Sequence, residues 1–268
     1  MPERERDLDE LLAAALAAAR AGGAIVQEAF GAASDVREKG PGDWVSHADT
    51  ASERAVRTVL AEQTPGIPVH GEEEGGERAS LGWLVDPLDG TANFLHRFPI
   101  VGVSVGLVDD GEPIIGVVHA PLLGDTYTGR KGGGAFHNDH PIRVSDRPPG
   151  QAILATGTPF RAKRTRLPEY IPVFERALLT FEDLRRAGAA SLDLAWTARG
   201  SFDGYFEQNL GPWDVAAGAL LVREAGGLVT DWRGDPHGWL SSGDIVAAPP
   251  AVHERVLDVI AGRAPNLP

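Results

Sequence analysis

Between Trp83 and Phe94 the chain runs from Trp83-Leu84-Val85 through Asp86-Pro87-Leu88-Asp89-Gly90 into Thr91-Ala92-Asn93-Phe94, an order that delivers two carboxylates, a fixed turn and a helix start from one short strand. The apolar residues read as the end of a buried strand. Pro87, with a preset φ and no N–H, takes the chain out of the sheet after Asp86. Asp86 and Asp89 are therefore expected at the carboxyl end of a strand. Gly90 permits close backbone approach to a ligand, and the residues after it can start a helix whose unpaired N–H groups favour an anion. Carboxylates beside oriented amides suit magnesium together with phosphate. The same residues in isolation make an ordinary surface turn, so the other acidic segments decide between the two.

Glu72-Glu73-Glu74 follows Ile67-Pro68-Val69-His70-Gly71, which reads as a short strand ending in a glycine turn. A Glu there faces the same sheet end as Asp86, although acidic runs mostly face water. Further on, Gly211-Pro212-Trp213-Asp214-Val215-Ala216-Ala217-Gly218 places an Asp in the first turn of an apolar helix. Helix capping alone accounts for an Asp in that position.

In their order and spacing, Gly71-Glu72-Glu73, Asp86 to Phe94 and Trp213 to Gly218 resemble the inositol monophosphatase family of magnesium-dependent, lithium-sensitive phosphatases. The resemblance runs from the first helix nearly to the C-terminus. Leu95-His96-Arg97-Phe98-Pro99 and Val103-Ser104-Val105-Gly106 are more similar to inositol monophosphatases than to the nucleotide-bisphosphate branch. The resemblance implies an α/β fold, a five-layered αβαβα sandwich, with the site between two halves and a homodimer as the assembly. It implies two or three Mg2+ ions. Glu72, Asp86 and the Leu88 carbonyl would bind the first, and Asp86, Asp89 and Asp214 the second. Asp49, within Asp43-Trp44-Val45-Ser46-His47-Ala48-Asp49, would support a further metal and hydrogen-bond Thr91. Thr91 would orient the attacking water with Glu72, while the N–H groups of Gly90 and Thr91 hold phosphate. Asp89, Gly188, Ala189, Ala190 and Glu207 would contact the polyol. The implied reaction is hydrolysis of myo-inositol 1-phosphate. Fructose-1,6-bisphosphatase, histidinol-phosphatase or adenosine 3′,5′-bisphosphate phosphatase activity would reuse the same metal site, and a catalytically idle regulatory protein is the non-enzymatic alternative.

Composition agrees with such an enzyme. A chain of 268 residues, 43% hydrophobic, can bury a large core. Its formal charge of −13 opposes nucleic acid and anionic membranes as partners, and the small phosphorylated polyol or sugar that the resemblance implies needs a cation to approach. Without Cys there is no disulfide, thiolate zinc site or cysteine nucleophile. No run of about 18 apolar residues occurs and the start is charged, so a cytoplasmic protein is expected.

Periodicity predicts helices over 8–30, after Thr50 (by the capping-box spacing Thr50 to Glu53), and over 169–179, 191–199, 213–225 and 252–260. Strands are expected over 100–108, 113–119, 126–135, 142–144, 153–156, 202–206, 228–230 and 245–247. Residues 31–42 read as a flexible loop, Lys131-Gly132-Gly133-Gly134 as a hairpin turn rather than a phosphate loop, and 145–150 as the boundary between halves 1–147 and 148–268. His47, His70 and His96 have no zinc-ligand spacing and read as structural or surface residues.

Overall fold

A computed structural model describes residues 2–40, 43–159 and 163–263. Helix α1 (Pro2–Ala29) is followed by the antiparallel hairpin β1 (Arg37–Gly40) and β2 (Asp43–Val45), then by α2 (His47–Gln63). A seven-stranded sheet comes next: β3 (Val69–Gly71), β4 (Leu81–Asp89), β5 (Gly102–Asp109), β6 (Glu112–Ala120), β7 (Asp125–Arg130), β8 (Gly134–His137) and β9 (His140–Pro141). The short helix α3 (Thr91–Leu95) leaves it after β4. The strands lie in chain order, antiparallel except for the β3–β4 pair. The rest of the chain gives β10 (Ile153–Thr156), α4 (Lys163–Thr180), β11 (Asp183–Arg185), α5 (Ala190–Ala198), β12 (Gly204–Glu207), α6 (Pro212–Glu224), β13 (Leu228–Thr230), α7 (Trp239–Ser242), β14 (Ile245–Ala248) and α8 (Pro250–Ile260). Its sheet has the order β11-β10-β12-β14-β13, with β10 parallel to both neighbours and β14 antiparallel to both of its own.

Three buried clusters give five layers. α1 and α2 pack Ala15, Ala18, Val56 and Leu60 onto Trp83, Val85 and Val105 on the outer face of the first sheet. α5 and α6 fill the space between the sheets, joining Val118 and Tyr127 on one side to Tyr205 and Ala247 on the other. α4 and α8 cover the far face of the second sheet through Tyr170, Val173, Val252 and Val256. The small residues of α6 follow from this sandwiching, because a Cβ at Gly116 of β6 would lie 2.6 Å from the Ala217 carbonyl oxygen. Two apolar surfaces that approach this closely leave no room for a larger pair.

Several elements depart from the sequence reading. β4 does not stop at Asp86: pairing with β5 resumes at Asp89 after a register shift. The bulge is stable because Pro87 has no N–H to leave unpaired, its carbonyl accepts from Ser52 Oγ (2.8 Å), and the Leu88 N–H donates to Asp86 Oδ1 (3.0 Å). α2 is capped by Ser46 with Asp49 as its reciprocal partner, which places Thr50 inside the helix. The 31–42 segment carries β1, while Pro41 and Gly42 lie outside the described residues. Residues 142–144 are not a strand. The Ile142 N–H goes instead to the Ala135 carbonyl of β8 (2.9 Å) and the Val144 N–H to that of Ala225, just past α6 (3.0 Å). α4 begins six residues earlier than expected and contains Pro168 and Pro172. β11 and α7 carry too short a pattern to register in sequence.

Candidate active site

One face of α2 organises the site. Asp49 sits in its first turn with Oδ2 accepting from the Ser46 N–H (2.8 Å) and Oγ (2.6 Å), which leaves Oδ1 to accept from Thr91 Oγ1 at 2.9 Å. One turn on, Ser52 holds the Pro87 carbonyl. The bulge of β4 then turns Asp86, buried to 1% exposure, toward Glu72 on the loop after β3. On the other side, Ser104 Oγ of β5 donates to the Trp213 carbonyl (3.0 Å) and fixes the start of α6. Asp214, third in that helix, also reaches back to the Gly211 N–H (2.6 Å). It is thus a cap and a member of the cluster at once. Carboxylate oxygens of Glu72, Asp86 and Asp214 lie within 4.8 Å of one another.

Asp89 completes the acidic wall. Its Oδ2 accepts from Ser191 N–H (2.7 Å) and Ser191 Oγ (2.5 Å) at the start of α5. Burial, then the charges of Glu72, Asp89 and Asp214, hold the Asp86 carboxyl well above the usual carboxylate range. Burial and then Asp214 push Asp89 to about 7, against the two Ser191 bonds. Burial also raises Asp49, with the Ser46 and Thr91 bonds pulling the other way. A bound cation is what would let these neighbouring buried acids ionise together. The Lys39 ammonium reaches Glu72 Oε1 (3.1 Å) and Glu73 Oε1 (2.8 Å) at the rim. Asp86, Asp89 and Asp214 lie deeper, and an all-oxygen set with no His or Cys fits a hard dication better than zinc.

The remaining predicted residues fall around this cluster. Leu88 buries its side chain, and its carbonyl accepts from Thr91 Oγ1 (3.1 Å). Gly90 takes a left-handed conformation (φ 89°), which turns the chain from β4 into α3 and puts its own N–H and that of Thr91 at the helix start. Gly188, Ala189 and Ala190 lead into α5. The chain entering them is tied to α3 by Asn93 Nδ2, which donates to the carbonyls of Ala187 (2.9 Å) and Gly188 (3.4 Å) and to that of Ile100 (2.8 Å). Glu207, at the end of β12, lies outside the three-carboxylate cluster and is 5% exposed, its Oε2 accepting from the Tyr205 hydroxyl (2.5 Å). Burial pushes it to about 7. His70 tilts against Trp213 with ring centroids 5.6 Å apart.

Sequence reasoning missed Ser46, Ser52, Glu53, Ser191 and Asp193. The Ser46 to Asp49 spacing is itself a capping box, and Glu53 lies one turn beyond Asp49 on the same helix face, so both carried a signal. Ser191 and Asp193 carried none, because only the fold brings α5 beside Asp89. Asp193 is buried beside Glu207, and its Oδ1 makes no hydrogen bond among the described residues.

The sequence model of the inositol monophosphatase family matches residues 7–263. A relative described as a putative Nus factor SuhB, from Neisseria meningitidis serogroup B, is 41% identical over 260 residues, 95% of this chain and 99% of its own length. The fructose-1,6-bisphosphatase/inositol-1-monophosphatase of Aquifex aeolicus is 39% identical over 258 residues, 94% of this chain and 96% of that protein. Among solved structures, the inositol monophosphatase of Anabaena superposes with a TM-score of 0.86 at 33% identity, covering 97% of this chain and 98% of that one.

Proposed function

The chain belongs to the inositol monophosphatase family and is a phosphatase; from that premise we propose that it hydrolyses myo-inositol 1-phosphate to inositol and phosphate by direct attack of water, with Mg2+ as cofactor. The convergence of Glu72, Asp86 and Asp214 oxygens within 4.8 Å, beside a Thr91 to Asp49 hydrogen bond of 2.9 Å, carries the reading. Glu72, Asp86 and the Leu88 carbonyl would hold one ion and Asp86, Asp89 and Asp214 a second, with Asp49 supporting a third. When bound, Mg2+ supplies charge to the phosphoryl oxygens, acidifies water and stabilises the leaving alkoxide.

The protein groups do the positioning. The Thr91 hydroxyl donates its hydrogen bond to Asp49 Oδ1 and the Leu88 carbonyl, so its lone pairs are turned to accept from the attacking water, and Glu72 holds that water from the other side. The N–H groups of Gly90 and Thr91 donate to the phosphate. Gly188, Ala189 and Ala190 present a small-residue wall to the polyol ring. Asp89 and Glu207 accept from its hydroxyls, an arrangement supported by the charges of Asp214 and Asp89 both acting on the Glu207 carboxyl.

Lithium inhibition, a homodimer and a cytoplasmic place of work belong to the same reading. The exposed Leu167, Ile171, Leu178 and Leu179 of α4 are apolar surface available for self-association. No helix among the described residues is long and apolar enough to cross a membrane. The charge of −13 keeps nucleic acid out of this proposal despite the Nus factor name of some relatives. A panel of inositol phosphates, fructose 1,6-bisphosphate, histidinol phosphate and adenosine 3′,5′-bisphosphate, assayed with magnesium, tests it. Inositol 1-phosphate should show the highest kcat/KM. Preference for a bisphosphate would transfer the activity to another branch, and turnover of none would leave an idle metal-binding protein.

A further inference from the structure

We propose that Glu53 and Arg57 are positioning residues that hold the loop carrying Glu72 in its cation-binding shape; the inference rests on reading Glu72, Asp86 and Asp214 as a magnesium site. Glu53 is wholly buried, at 0% exposure, on the α2 face that also presents Asp49 and Ser52. A carboxylate there has to be matched donor for donor, because an unpaired buried charge is among the most destabilising features a fold can contain. Its Oε2 accepts from the Glu73 N–H at 2.8 Å, and Oε1 accepts from the Glu74 N–H at 3.1 Å and from Arg57 Nε at 2.8 Å. The Arg57 guanidinium then grips both ends of the same loop. Nη1 donates to the Val69 carbonyl at 3.0 Å and Nη2 to the Gly75 carbonyl.

The loop is closed on itself by the Gly71 N–H to Gly75 carbonyl bond (2.9 Å) and tied to β4 by the Glu72 N–H to Val85 carbonyl bond (3.0 Å). The backbone of Glu72 therefore lies between an anchor on its own amide and a clamp on the next two. Three successive glutamates would otherwise spread into water, since their charges repel and each side chain is better solvated outside. Glu53 grips the loop by its amides rather than its side chains, Arg57 also approaches Glu74 Oε2 (3.7 Å), and the Glu72 carboxylate faces Asp86 and Asp214. Gly71 is the seat of the clamp, because a Cβ there would come within 2.3 Å of Glu53 Oε1. Outer-shell partners that orient a ligand typically change metal affinity by about 10- to 100-fold when removed.

Calorimetric titration of the metal-free protein with magnesium chloride tests this without any turnover. Glu53→Gln keeps the shape but turns an NH2 group toward one of three donors. It should weaken magnesium binding at least about tenfold and speed hydrogen exchange of the Glu73 and Glu74 amides. Glu53→Asp, which keeps the charge and withdraws it by one methylene, should do the same and serves if the Gln variant fails to fold. A merely structural role would lower the melting temperature in chelator and leave the magnesium Kd within twofold of wild type, which overturns the proposal. Loss of folding in both variants would assign Glu53 to the fold and also overturn the proposal. A wild-type protein that binds no magnesium would instead sink the metal reading underneath.

Discussion

Glu207→Gln in the metal-free protein removes one buried acid and should make stability less sensitive to pH. Burial holds the Glu207 carboxyl at about 7 against its usual 4.5, while the Tyr205 hydroxyl and the Arg186 charge pull in the opposite direction. Below pH 4.5 the group is protonated in folded and unfolded chains alike. Between that value and about 7 the unfolded chain ionises while the folded carboxyl stays neutral, so folding takes up a proton and stability falls as pH rises. The slope is about 1.4 kcal/mol per pH unit, which over this window amounts to roughly 3 kcal/mol. Gln keeps an acceptor for Tyr205 and does not titrate. Urea unfolding in chelator should therefore give a variant whose stability, relative to wild type, rises by roughly 3 kcal/mol between about pH 4.5 and about pH 8. The chelator matters because a bound cation would favour the ionised acids. A difference between the two proteins that stays flat over this range would refute the argument that Glu207 is held neutral by burial.

The same Glu207→Gln substitution should lower kcat/KM for inositol 1-phosphate by about 1–3 kcal/mol more than for a small aryl phosphate, since only the polyol loses matched acceptors. An equal loss for both substrates would assign Glu207 to the strand or the metal site. Thr91→Ala should depress kcat about 10²-fold and change magnesium affinity much less, because the hydroxyl orients water rather than the ion. A normal kcat with a raised KM would make Thr91 a binding residue. Lithium at fixed magnesium should inhibit by slowing product release, and an absence of inhibition at any tolerated concentration would count against occupation of the second site.

What the sequence makes legible is the chemistry whose causes lie close together in the chain. The turn at Asp86 is readable because Pro87 and Gly90 impose their own backbone geometry, and Asp214 because Gly-Pro-Trp-Asp opens a helix. The continuation of β4 to Asp89 is hidden, because the bulge depends on a hydroxyl 35 positions away, that of Ser52. Glu53 reads as a helix-start acid from the Thr50 to Glu53 spacing, and its hold on the Glu73 and Glu74 amides emerges only when the fold lays the 71–75 loop over it. Periodicity finds the helices that flank each sheet but not their order, which depends on contacts such as Gly116 against Ala217. The 142–144 stretch has the composition of a strand and lacks a neighbour to pair with, so the Ile142 and Val144 amides go to separate carbonyls, those of Ala135 and Ala225.

Phosphate release from myo-inositol 1-phosphate, followed while magnesium is titrated into metal-free wild type and Asp214→Asn, bears most directly on the claim that this carboxylate cluster is the catalytic metal site. Asn keeps the shape and much of the capping ability of Asp214, so the variant should fold normally and isolate the charge. Wild type should be silent in chelator and recover full turnover with magnesium, while Asp214→Asn stays greatly impaired at every magnesium concentration. Release that persists in chelator, or near-wild-type turnover by Asp214→Asn at low magnesium, would contradict the account.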